Sequence, residues 1–220
     1  MRRLWPLPLV LLLAPSTVLA QGGPPSSLPA PEEDESERPL IPDATDMLGG
    51  HVLIGAAPIW SVPFGTLQSR LPAADRLASG FGARGDIGFG VSRTVVLGVS
   101  GDFSSYLSPD DCDACGGQSF GVGPMLRYHL VQGTRFDPWD SIGAGFRSLS
   151  VDGGDERLDL KGIDWLRIAF GGDYYPLSNF ALGPFAGFDA TTYTGGRDDA
   201  PRISFQLTLG LRLALNLPGK

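Results

Sequence analysis

Residues 202–216, RISFQLTLGLRLALN, decide how the chain folds. The odd positions are Ile203, Phe205, Leu207, Leu209, Leu211, Leu213 and Leu215. The even positions are Arg202, Ser204, Gln206, Thr208, Gly210, Arg212, Ala214 and Asn216. Successive side chains of a strand point to opposite sides, so this segment has one wholly apolar face and one polar face. A one-residue slip would invert every side chain, which makes the register strongly specified.

Working outward, the same period of two recurs from residue 48 onward, with no helical period. Phe81, Ala83, Ile87, Phe89 and Val91 oppose Gly82, Arg84, Asp86, Gly88 and Gly90. Val95, Leu97, Val99 and Phe103 oppose Gly98, Ser100, Asp102 and Ser104. Phe120, Val122, Pro124, Leu126, Tyr128 and Leu130 oppose Ser119, Gly121, Gly123, Arg127 and His129. Further segments run through Ile142 to Phe146, Leu166 to Tyr174 and Phe180 to Phe188, and residues 50–62 form a weaker first strand. That makes eight strands.

The polar face carries Arg84, Asp86, Asp102, Arg127, His129, Arg147, Arg167, Asp173, Asp189, Arg202 and Arg212 among glycines and serines. A soluble barrel or sandwich would turn these outward and hide the apolar face. Several features predict the inverse. The strands reach the ten or so residues that a tilted membrane strand needs. Trp60, Tyr106, Tyr128, Trp139, Trp165, Tyr174, Tyr175 and Tyr193 stand near the ends of the apolar bands, where interface girdles belong. Inward glycines would relieve crowding in a narrow lumen. Connections also alternate: short at Ser92-Arg93, 131–137 and 176–179, long and polar at 63–79, 107–117, 149–160 and 193–201. The expectation is an all-β fold, an eight-stranded antiparallel up-and-down transmembrane β-barrel, with its long loops extracellular and both ends on the periplasmic side.

Residues 83–91 (ARGDIGFGV) and 95–103 (VVLGVSGDF) resemble the second and third strands of small bacterial outer-membrane barrels of the OmpA/OmpX type. The resemblance spans 48–220 and implies a barrel embedded in outer-membrane lipid and lipopolysaccharide, placed there by the barrel-insertion machinery. Such barrels usually end on an aromatic residue, whereas this chain ends Leu217-Pro218-Gly219-Lys220.

The remaining segments set the compartment. Met1-Arg2-Arg3, the apolar run Leu4 to Leu13 and the small-residue ending at Ala20 predict a cleaved signal peptide over 1–20. Residues 21–47 hold seven acidic residues against Arg38 and are rich in proline, so they predict a disordered acidic linker. The barrel domain is then 48–220, with 14 basic and 17 acidic residues, so the formal charge of −7 is mostly linker. This balance excludes nucleic acid as a partner, because phosphate binding needs clustered Lys and Arg.

Cys112 and Cys115 lie in the second long loop, where an oxidising exterior predicts a small structural disulfide. They lack the histidines of a tetrahedral zinc site and the helix N-terminus of a redox motif. His51 and His129 do not combine with a serine and a carboxylate at the extracellular rim, so no catalytic, metal or cofactor site is expected. Six arginines and four aspartates on the inner face predict an ion-pair network, because isolated charges in a confined interior are costly. The functional expectation is therefore a monomeric, non-conducting barrel with a structural or surface-interaction role. The alternatives are a narrow channel for small anions, favoured by the arginine excess, and a soluble periplasmic lipid-binding barrel.

Overall fold

The computed structural model describes residues 48–68, 71–112, 115–131, 135–153, 157–194 and 202–218. The signal peptide expected at 1–20 and the linker expected at 21–47 lie outside the described residues. Eight long strands follow one another: β1 Val52–Gln68, β2 Gly80–Gly90, β3 Val95–Tyr106, β4 Cys115–His129, β5 Phe136–Gly153, β6 Arg157–Leu177, β7 Phe180–Thr194 and β8 Arg202–Leu217. Each pairs antiparallel with the next, and β1 pairs with β8 from Val52↔Leu217 to Gly65↔Ser204. The sheet is closed. Closure leaves none of the long strands with an unpaired edge along the barrel wall.

Alternation sorts the side chains as the sequence predicts. Neighbouring residues of β5 give the sign: Phe146 is 71% exposed and Arg147 only 2%. Phe81, Ile87, Phe89, Leu97, Phe103, Phe120, Ile142, Phe170 and the odd-numbered leucines of β8 all face outward. Apart from Arg84 and Asp86, which are partly buried, the inward charged residues whose side chains are described are buried. This is a soluble barrel turned inside out.

Three expectations need correction. Tyr106, Trp139 and Tyr193 are buried in the lumen, not in an outer girdle; Trp60, Tyr128, Trp165 and Tyr174 do face outward. Their parity already placed them inside, since outward positions are odd in β3 and even in β5 and β7. The loop predicted over 149–160 is largely strand, because β5 and β6 extend their ladder to Asp152↔Arg157. The segment after β1 likewise carries a two-residue strand, Leu71–Pro72, and a 3-10 turn, Ala73–Asp75. In addition, the β5–β6 ladder shifts register between Gly143 and Gly145, whose partners Arg167 and Asp164 are three apart, and the β6–β7 ladder shifts between Asp164 and Leu166. Asp164 and Arg167, three apart, therefore both point inward.

Apolar side chains cluster at both ends of the barrel. At the long-loop end Leu67, Leu149, Val151, Leu160, Tyr106 and Tyr193 converge from five strands on Ala73 and Leu77 of the folded-in loop. That loop is pinned by Ala78 N–H to the Leu107 carbonyl at 2.9 Å and Leu107 N–H to Ser79 at 3.2 Å. At the short-turn end Leu48, Leu53 and Val96 pack together, and Gly50 N–H donates to the Gly90 carbonyl at 2.7 Å.

Candidate functional site

The chemistry-bearing residues gather in the lumen. The ladders set Arg84, Asp102, Gly121, Arg147 and Gly162 side by side on five successive strands. Glycine at alternate places leaves room for guanidinium groups. A Cβ on Gly121 would stand 3.0 Å from both Arg147 Nη2 and Asp102 Oδ1, and one on Gly187 would stand 3.0 Å from Arg84 Nη1.

Two ion-pair clusters result. In the one nearer the long loops, Arg147 donates from Nε to Asp164 at 2.9 Å, from Nη1 to Asp102 at 2.9 Å and from Nη2 to Asp189 at 2.9 Å. Arg147 Nη1 also reaches Gln206 Oε1 at 2.8 Å. Arg167 binds Asp102 and stands 3.7 Å from Asp164 and Asp189, while Arg84 lies 3.4 Å from Asp189. Three arginines meet three aspartates. In the other cluster Arg212 spans Asp173 at 2.6 Å and Asp86 at 2.9 Å, and Arg127 holds Asp86 at 3.1 Å. Two arginines meet two aspartates. Such neutral, mutually hydrogen-bonded sets offset the desolvation that a lone buried charge would suffer.

The sequence reading missed two members. Asp164 was hidden by the bulge, which breaks the parity. Asp137 was assigned to a turn; it is buried instead, with its Oδ2 2.7 Å from Nδ1 of the fully buried His129. His129 therefore does have a carboxylate partner, but at the short-turn end and not at the long-loop rim. His51 pairs through Nδ1 with Asn216 Oδ1 at 2.9 Å. The side chain of Arg202 lies outside the described residues. Among the described residues five inward arginines face six inward aspartates, so the expected arginine excess is absent.

Between the two clusters lies a cavity of about 30 Å³, lined by Arg84, Asp86, Arg127, Arg167 and Arg212 together with Trp139, Phe185 and other neutral residues. Trp139 lies under the Arg127 guanidinium, whose Cζ is 4.4 Å from the ring centroid. Such a cation–π contact is favoured by desolvation. The lumen thus alternates caps, charge and a small gap.

At the long-loop rim, Cys112 and Cys115 are joined by a disulfide, with Cys115 the first residue of β4. Arg76 Nη1 lies 3.9 Å from the Cys115 sulfur, tying the folded-in loop to this staple. A hydrogen bond from the Ser150 hydroxyl holds the exposed Asp159 carboxyl below the usual carboxylate range, and Arg157 assists.

Neither a family model nor a curated protein matches the sequence. Solved structures do. The outer membrane protein OprG from Pseudomonas aeruginosa superposes with a TM-score of 0.50 at 9% identity, covering 80% of this chain and 99% of that one. Neisserial surface protein A (NspA) gives 0.48 at 17% identity, over 74% of this chain and 98% of its own. The N-terminal beta-barrel domain of Pseudomonas aeruginosa OprF gives 0.43 at 19%, over 76% and 98%. The fold is that of the small eight-stranded outer-membrane barrels.

Proposed function

We propose that this chain is an outer-membrane barrel with a sealed lumen, serving a structural or surface-interaction role through its long-loop end. One observation carries the reading: the exposed belt is apolar while the charges are paired inside, with an apolar cluster toward each end. In water that arrangement would expose large hydrophobic surface without recompense; in a bilayer the belt replaces lipid-facing surface, and closure satisfies the backbone. Tyr128 and Tyr174, toward the short-turn end, suit an interface there. With both ends of the barrel on the short-turn side, that side faces the periplasm and the long loops face outward. Outer-membrane lipid and lipopolysaccharide are then the surrounding partners, the barrel-insertion machinery the route in, and a monomer the working unit. The role is non-catalytic in this reading.

The test is fractionation followed by gel migration before and after boiling, then planar-bilayer recording of the purified barrel. Outer-membrane recovery, a heat-shifted band and a flat current trace are expected. Recovery as a detergent-free soluble monomer would overturn the membrane assignment. Stable open steps would overturn the sealed lumen.

A further inference from the structure

The cavity between the charge clusters has an asymmetric lining. Four guanidinium groups, of Arg84, Arg127, Arg167 and Arg212, face it against one carboxylate, Asp86. Asp86 is already engaged, since its two oxygens accept from Arg127 and Arg212. The donors are not. Arg84 Nε, Arg127 Nε and Trp139 Nε1 are buried without a hydrogen-bond partner, while Arg167 Nε stands 3.7 Å from the Asp164 and Asp189 carboxylates, and all four residues line this one space. The buried carboxylate oxygens that also lack a partner belong to Asp137, Asp173 and Asp189, none of which lines it. Buried N–H groups in native proteins are almost always satisfied, so three such donors around a single gap point to something that accepts from them. Arg127 stands on one side of the gap and Arg84 and Arg167 on the other.

We infer that this cavity is a binding site for a small inorganic anion of halide size, held between the two ion-pair clusters by Arg84, Arg127, Arg167 and Trp139. The size fits: by the usual measure one water needs roughly 10–15 Å³, so about 30 Å³ admits a single halide with at most one water and excludes organic anions. The chemistry fits as well, because a monatomic anion accepts from several donors at any angle, whereas water must also donate. Asp86, already engaged, is the one carboxylate in the lining. The site rests on the interior geometry alone and stands apart from any surface role of the loops.

The decisive experiment refolds the full mature chain into detergent in sodium bromide and crystallises it there. Anomalous scattering at the bromine edge should give one peak within hydrogen-bonding reach of Arg84, Arg127, Arg167 and Trp139. Water density without an anomalous peak overturns the proposal. In solution, chain refolded in chloride should unfold at higher denaturant than chain refolded in gluconate at equal ionic strength. A ligand at ten times its dissociation constant shifts the folding equilibrium about tenfold. Trp139→Phe keeps the ring beneath Arg127 and removes one donor, so the variant folds and its chloride dependence shrinks. Identical unfolding of the unmodified protein in both anions counts against the site.

Discussion

Arg147 is the most connected group in the lumen, and its removal is the sharpest test of the interior. It contacts Asp102, Asp164 and Asp189 at 2.9 Å each, and every one of these side chains is at most 1% exposed. Arg147→Met preserves much of the packed stem but leaves three carboxylates facing Arg84 and Arg167. Breaking a buried pair by removing one partner costs about 3–5 kcal/mol. The lower end applies here, because no carboxylate is stranded. Asp102 keeps Arg167, Asp189 keeps Arg84 at 3.4 Å, and Asp164 keeps the Thr191 hydroxyl at 2.5 Å. About 3 kcal/mol corresponds to roughly a hundredfold fall in the folding constant at 1.4 kcal/mol per tenfold. The assay is equilibrium urea unfolding in detergent or thin bilayers, read by the migration shift of folded barrel. Adding Asp164→Asn restores neutrality and should return part of the loss, giving a non-additive cycle. A loss below about 1 kcal/mol, with simple additivity, would mean the clusters behave like hydrated surface pairs, and the sealed interior would be wrong.

Other outcomes follow from the wall, the inner glycines and the staple. Phe146→Arg places a charge in the outward belt and should lower stability by about 2–4 kcal/mol in bilayers, while Leu107→Arg beyond β3 costs about 0–1 kcal/mol; equal costs in vesicle refolding would refute the belt. Gly121→Val drives a side chain into Arg147 and Asp102 and should cost about 1–3 kcal/mol by overpacking. Gly85→Ala, whose nearest neighbour would be the Gly55 carbonyl at 3.7 Å, should stay within about 0.5 kcal/mol, and the contrast is read from unfolding midpoints. Reducing Cys112–Cys115 opens a very short loop and should cost at most about 2 kcal/mol. Barrel migration should persist, while proteolysis of the second long loop quickens.

The local alternation along residues 202–216 determined by itself that β8 has one apolar face, because strand geometry puts every second side chain on the same side. Repeated eight times with alternating connection lengths, it also determined the antiparallel closed barrel and which residues share the inner face, Arg147 and Arg212 among them. Even the inward places of Tyr106, Trp139 and Tyr193 were legible from parity, had residue type not argued for a girdle. Tertiary structure alone decided the rest. Which arginine meets which aspartate depends on the ladder register and on the shifts at Gly143/Gly145 and at Asp164/Leu166, and no local pattern encodes a shift between two strands. Asp164 joined the network for that reason. The caps and the donor-lined gap arise where side chains from many strands converge across the lumen, and a linear sequence carries no distance across a barrel.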